Sequence, residues 1–205
     1  MSQNGMLLII SGPSGVGKTT ITHHVEKALG GVFSVSMTTR AMTAADKEGD
    51  DYYFVDVPTF LKSRDNGELL EWAKVFDNYY GTPRIPVEQA MSAGKLVILE
   101  IDVQGAIDVK KNMPDAFSLF VLPPSEEELL GRLRRRQRED ESTIQRRFAK
   151  AKQEIAEARE CNIYDEFLVN DNLDHAVNQA VQIVSDELSR RRSPQTSGVK
   201  EGDRS

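Results

Sequence analysis

Cysteine is almost missing from this chain. Cys161 is the single one among 205 residues, so no disulfide can form within the chain, and the thiol reads as inert. Histidine is scarce too: His23, His24 and His175 have no partners at metal-ligand spacing, which leaves all three as surface residues. No stretch approaches the ~20 apolar residues of a membrane-spanning helix. The first apolar run is too short for a signal peptide and is needed as a strand, so a soluble, cytoplasmic protein is expected. Positive charge is outnumbered, with 26 Lys and Arg against 32 Asp and Glu. The balance of −6 argues against a protein that coats nucleic acid, and no stable nucleic-acid or membrane partner is expected. Hydrophobic residues, at 39%, lie a little below the usual globular share and well above that of disordered chains, enough for one main domain with an insertion. Only residues 193–205, rich in Ser, Gly and charge, read as a disordered tail.

What is present begins near the amino terminus. Gly12-Pro13-Ser14-Gly15-Val16-Gly17-Lys18-Thr19 fits G-x-x-x-x-G-K-[ST] and directly follows the apolar run Met6-Leu7-Leu8-Ile9-Ile10, the strand that a phosphate-binding loop requires. Three glycines let successive N–H groups point inward around a triphosphate, and the next helix adds the positive end of its dipole. Lys18 is placed against the β- and γ-phosphates, and the Thr19 hydroxyl is the candidate ligand for a bridging Mg²⁺. Thr20 belongs to the loop's binding set but reads as a helix-start residue.

Apolar runs at 6–11, 96–101, 117–122 and 167–169 alternate with helical patterns at 18–29, 85–93, 125–136, 142–159 and 173–191, the rhythm of βα units around a parallel sheet. Between about 37 and 84 the pattern changes to strands at 52–55 and 69–75 around a short helix near 58–63, an inserted α+β lobe.

Six ordered blocks then carry a resemblance: Ser34-Val35-Ser36-Met37-Thr38-Thr39-Arg40, Gly49-Asp50-Asp51-Tyr52-Tyr53-Phe54, Glu71-Trp72-Ala73, Asn78-Tyr79-Tyr80-Gly81-Thr82, Glu100-Ile101-Asp102-Val103-Gln104-Gly105 and Val169-Asn170-Asp171. Together they resemble the guanylate kinases over roughly residues 5 to 190. The resemblance implies an α/β fold: a P-loop core with a mainly parallel five-stranded sheet flanked by helices (1–36, 84–124 and 160–192), an inserted α+β GMP-binding lobe (37–83) and a helical lid (125–159). It implies transfer of the ATP γ-phosphate to GMP, with Mg²⁺, by a monomer or homodimer.

By family position Glu71 reads guanine, and chemistry agrees, because a carboxylate accepts guanine N1–H and N2–H₂ side by side. The hydroxyls of Ser36 and Thr82 match positions that donate to O6. Arg40, Tyr52 and Tyr80 match the GMP phosphate site, while Tyr53 and Tyr79 read as structural and Trp72 as core beside Glu71. In the family a second arginine follows the first by three residues, within P-R-x-G-E. Here Thr43 stands in its place, with Met42, Ala45 and Asp46 also departing. Losing one charge-assisted phosphate contact costs ~1.5–3 kcal/mol, about ten- to a hundredfold in affinity, unless a group such as Lys47 reaches the site. Weaker GMP binding is therefore expected, improved in Thr43→Arg.

The strand at 96–99 delivers Glu100 and Asp102 beside the P-loop. Asp102 matches the family acid that serves magnesium's water shell or the GMP site; Glu100 replaces the usual Asp. The run Arg132-Leu133-Arg134-Arg135-Arg136-Gln137-Arg138 and the pair Arg146-Arg147 concentrate positive charge. Arg132, Arg136 and Arg147 match the family arginines that stabilise the transferring phosphoryl group; Gln137 stands where a glycine is common. Asn170 matches a position near the ATP base. Two alternatives stand beside this reading: a P-loop kinase with another phosphorylated acceptor, and a non-catalytic interaction module of guanylate-kinase-like fold. Intact Lys18 and Thr19 weigh against the second.

Overall fold

A computed structural model describes residues 5–75, 77–135 and 140–193. The expected disordered tail beyond Ser193, together with Arg136 and Gln137, lies outside the described residues.

The chain opens with β1 (Met6–Ser11), whose six residues are all buried, as a central strand covered on both faces requires. After the glycine loop comes α1 (Lys18–Leu29), ended by Gly30 in the left-handed region at φ 66°, where its N–H caps the Glu26 carbonyl. Next follow β2 (Val32–Phe33), β3 (Ser36–Thr38) and β4 (Tyr52–Phe54). The helix α2 (Val57–Asp65) starts where the Asp56 carboxylate accepts the Thr59 N–H, with a proline in the first turn. The antiparallel pair β5 (Leu69–Val75) and β6 (Asn78–Pro83) leads into α3 (Arg84–Ser92), β7 (Leu96–Glu100), α4 (Val103–Asn112), β8 (Phe117–Leu122), α5 (Glu126–Arg135), α6 (Glu141–Glu160), β9 (Glu166–Val169) and α7 (Leu173–Arg192).

Two sheets result. The first is five-stranded in the order β2-β7-β1-β8-β9, and every pair in it is parallel. Period-two alternation divides its core. Met6, Leu8 and Ile10 pack with Ile21 and Val25 of α1 and Ala176, Ala180 and Val184 of α7. Leu7, Ile9, Val97 and Leu99 pack with Val87 of α3 and Ala106 and Val109 of α4. Each such aliphatic side chain contributes ~1.5–3 kcal/mol on burial. Register places Ile10 beside Glu100, so the loop after β1 and the acid ending β7 emerge at one edge, where the strand order reverses and open α/β sheets bind ligands.

The second sheet, β4-β3-β6-β5, is mixed: β3 runs parallel to β4 and antiparallel to β6, and β5 is antiparallel to β6. Several features depart from the sequence expectation: β2, β3 and β6 lie outside the predicted strands, and α4 and Trp72 differ as well. The helix α4 carries no apolar stripe long enough to announce it; its start is set by Asp102, whose carboxylate accepts the Gly105 N–H at 2.9 Å. Trp72 is 41% exposed instead of core. The strand β5 is buried on both faces over Leu69, Leu70 and Glu71 and leaves the core at Trp72, past a register shift against β6, and Arg64 covers the exposed ring at 5.1 Å.

Candidate active site

The loop between β1 and α1 is shaped by glycines that tolerate no replacement. Gly17 lies at φ 99°, and a Cβ there would meet the Asn170 amide nitrogen at 2.6 Å; Gly15, at φ 87°, would meet Leu133 of α5 at 3.0 Å. Asn170 supports the loop from behind. It is 3% exposed, its side-chain amide donates to the Val16 carbonyl at 2.7 Å, and its own carbonyl accepts from Arg132 Nη2 at 2.9 Å. Arg132 is braced in turn by Glu128 at 3.0 Å. The sequence places Asn170 near the ATP base; its amide nitrogen here serves the main chain of the loop.

Inside the loop, Lys18 Nζ donates to the carbonyls of Gly12 at 2.5 Å and Pro13 at 3.1 Å. Thr19 Oγ1 donates to Glu100 Oε1 at 2.9 Å, and Arg147 Nη2 donates to Ser14 Oγ. The Thr20 carbonyl takes a different partner, the His24 ring at 2.8 Å. Ser14, Gly15, Gly17, Lys18, Thr19, Thr20 and Glu100 line a polar cavity of about 210 Å³. Glu100, left without a role on sequence grounds, thus joins the loop; the cross-strand register is the signal that could have found it. Among the described residues no three His, Cys, Asp or Glu cluster as metal ligands. All three histidines are exposed, as expected.

On the second sheet, Glu71 is 8% exposed and Thr82 Oγ1 donates to its Oε1 at 2.5 Å. Burial pushes the Glu71 carboxyl up to about 7, against the opposing effect of the Thr82 hydrogen bond. A Cβ at Gly105 would lie 3.3 Å from Glu71 Oε2 and 3.4 Å from Asp102 Oδ1, so the start of α4 abuts this acid. Ser36 precedes Met37, which pairs with Gly81, and so sits one ladder step from Thr82.

A third cluster surrounds Arg40. Its guanidinium lies 5.4 Å from the ring centroids of both Tyr52 and Phe54, and the Tyr52 and Tyr80 rings meet edge-on at 5.8 Å. Tyr79 stacks on Phe60 at 5.3 Å instead, in keeping with its structural reading. Arg40 Nη1 and Nη2 donate to Asp46 Oδ2 and Oδ1 at 2.9 and 2.8 Å, and Nη1 also to the Ala41 carbonyl at 3.1 Å. Asp46 Oδ2 further accepts the N–H and hydroxyl of Thr43, both at 2.7 Å. These bonds hold the Asp46 carboxyl well below the usual carboxylate range. Lys47 pairs with Asp50 and is 77% exposed, so it does not take up the missing arginine's place.

The family model described as guanylate kinase matches residues 4–187. The chain belongs to the guanylate kinase family. The guanylate kinase of Myxococcus xanthus is 44% identical over 188 residues, 91% of this chain and 89% of the relative. That of Carboxydothermus hydrogenoformans is 45% identical over 184 residues, 89% of each. Among solved structures, the guanylate kinase from Anaplasma phagocytophilum, 36% identical, covers 91% of this chain and 87% of that one with a TM-score of 0.67. The chain is accordingly an enzyme, a nucleoside monophosphate kinase with ATP as co-substrate. Among the described residues no helix is long and apolar enough to cross a membrane.

Proposed function

We propose that the chain transfers the γ-phosphate of ATP to GMP, giving ADP and GDP, with the two nucleotides facing each other between the loop after β1 and the second sheet. The observation that carries this reading is the buried Glu71 carboxylate, bonded to Thr82 on the same sheet as the Arg40, Tyr52 and Tyr80 cluster. Ionised Glu71 accepts the guanine N1–H and N2–H₂, the Ser36 hydroxyl donates to O6, and the Thr82 hydroxyl does so by exchanging Glu71 Oε1 for it. Arg40, Tyr52 and Tyr80 hold the monophosphate. The N–H groups of Gly12, Ser14, Gly15, Val16, Gly17 and Lys18 cradle the triphosphate, Pro13, which has no N–H, shapes the turn between them, and Lys18 exchanges the Gly12 and Pro13 carbonyls for phosphate oxygens.

Arg132, Arg136 and Arg147 stabilise charge on the phosphoryl group in flight; Arg147 already touches the loop at Ser14. Thr19 and Glu100 form an oxygen-only donor pair at the mouth of the loop, which suits Mg²⁺, and Asp102 keeps Oδ2 clear of its helix-capping bond for the ion's water shell or GMP. Bound there, Mg²⁺ supplies neutralisation of the β- and γ-phosphate charge. An anionic phosphate is already a nucleophile, so no general base is required. Closure of α5 and α6 over the site excludes water, as productive transfer without ATP hydrolysis demands. Lone Cys161 and the lack of a membrane-crossing helix among the described residues support a cytoplasmic location.

A coupled ADP assay with GMP, AMP, CMP and UMP tests the assignment: GMP is expected to turn over fastest, and a faster rate with another acceptor overturns it. Calorimetry of GMP against AMP with Glu71→Gln, which turns half the acceptor pair into a donor, is expected to show a loss of about a hundredfold confined to GMP.

A further inference from the structure

Arg40 is gripped along one edge only. A guanidinium has five N–H groups, two on each terminal nitrogen and one on Nε. The end-on fork formed by Nη1 and Nη2 belongs to Asp46, and the remaining Nη1 hydrogen goes to the Ala41 carbonyl. Nε and the second Nη2 hydrogen have no hydrogen-bond partner among the described residues. These two N–H groups lie parallel on the side edge, the geometry that pairs with two oxygens of a phosphate. The rings of Tyr52 and Phe54 hold the plane of the group, and Tyr80 adjoins Tyr52.

Asp46 is itself immobilised. Thr43 donates both its N–H and its hydroxyl to Oδ2, so the carboxylate that orients Arg40 is oriented by the residue standing where the family pattern has a second arginine. Two opposed effects of Asp46 on a phosphate are conceivable. Its negative charge repels the ligand, and its grip removes the rotamer freedom that a long arginine side chain otherwise loses on binding. Position decides between them: the carboxylate occupies the end edge, the vacant N–H pair occupies the side edge, and the guanidinium charge stands between carboxylate and phosphate.

We propose that Asp46, fixed by Thr43, is a positioning residue that presents the Nε and Nη2 edge of Arg40 to the GMP phosphate, so that preorganisation of one arginine replaces part of what a second arginine supplies by charge. This rests on the reading of Arg40 as a phosphate ligand. It differs from that reading in its test.

The full chain carrying Asp46→Asn is compared with wild type by calorimetry with GMP and with guanosine, alongside KM and kcat. Asparagine turns an NH₂ toward one arm of the fork. The expected result is a GMP affinity lower by about tenfold, a matching rise in KM for GMP, unchanged guanosine affinity and a kcat within about twofold. Thr43→Val, which keeps the N–H bond, weakens GMP by about threefold, and Asp46→Glu recovers part of the loss. GMP affinity that is unchanged or higher in Asp46→Asn overturns the proposal, because the carboxylate then acts only as a competitor for Arg40. An equal loss of guanosine binding overturns it too, since the residue then merely holds the lobe together. Arg40→Lys separates the two readings: if it leaves the ratio of GMP to guanosine affinity unchanged, the phosphate role of Arg40 falls and Asp46 with it. If that ratio collapses while Asp46→Asn has no effect, only the positioning role falls.

Discussion

The loop after β1 and the second sheet, to which the proposed reading gives the two phosphate-bearing substrates, are made of different material. In the loop the donors are main-chain amides whose directions are set by glycine dihedrals, and side chains such as Asn170 and Arg147 work from outside to keep that backbone in place. On the second sheet the main chain is consumed by ladder hydrogen bonds, so recognition falls to side chains, each steadied by another: Glu71 by Thr82, Arg40 by Asp46 and the rings. A main-chain site draws its accuracy from a contiguous stretch of eight residues. A side-chain site draws it from pairs that are not neighbours in the chain, such as Glu71 with Thr82 and Arg40 with Asp46, and one substitution at such a pair unsettles a partner as well as a contact.

The contrast is most directly broken at Lys18, whose ammonium group lies within the loop on the carbonyls of Gly12 and Pro13. Lys18→Ala is expected to lower kcat by about a thousandfold with KM for GMP within about threefold; a loss of under tenfold would mean that main-chain amides alone suffice. Next comes pH, which acts on the second sheet only. In the proposed reading the guanine donors pair with the Glu71 carboxylate, whose pKa of about 7 makes the free form protonated in mildly acidic solution. Guanosine affinity is therefore expected to rise by about tenfold per unit as pH climbs toward 7, level off above it, and become flat in Glu71→Gln; guanosine is the probe because it lacks a titrating phosphate. The same group sets a stability trend in the free protein. Folding favours the neutral acid, so stability falls as pH rises from 4.5, its ordinary value, toward 7, by up to about 3 kcal/mol, and chemical denaturation in Glu71→Gln should lack that slope.

Asn170→Ala should sharpen the contrast from the other side. It strips the buried Val16 carbonyl of its donor, costing about 1–3 kcal/mol in stability and raising KM for ATP about tenfold while leaving KM for GMP unmoved. Thr43→Arg should have the smallest effect. Charge alone predicts a gain of tenfold or more in GMP affinity, but Asp46 stands ready to pair with the new guanidinium and the Thr43 hydroxyl bond is lost, so KM for GMP is expected to fall by no more than about threefold. A full tenfold improvement would show that the new arginine reaches the phosphate freely.

Legibility follows the same division. Lys18, Thr19 and the glycines are readable because the chemistry is local: the motif, the apolar run before it and the helix after it are adjacent in the chain. The central strands are readable because β1, β7 and β8 are almost wholly apolar. Glu71, Thr82 and Arg40 could be named through the family blocks, yet no periodicity reveals that Thr82 bonds Glu71 or that Asp46 holds Arg40, since both depend on which strands become neighbours. Trp72 misleads for a related reason. Hydrophobicity says inside, but the buried stretch of β5 ends at Glu71, and where a strand leaves the core depends on its neighbours in space. The helix α4 escapes because its initiating signal is a lone aspartate followed three residues later by glycine, which also reads as a turn.

Gly105 has no part in any of these roles, yet it lies between two acids from different parts of the chain, and a Cβ there would come within 3.3 Å of Glu71 Oε2 and 3.4 Å of Asp102 Oδ1. A methyl group there asks the Glu71 carboxylate to give by a few tenths of an ångström, and larger side chains ask for more, without removing any reactive group. The side chain proposed to choose the purine is thus bordered by a residue with no side chain of its own, and a survey of variants that scored only chemically active residues would pass over it.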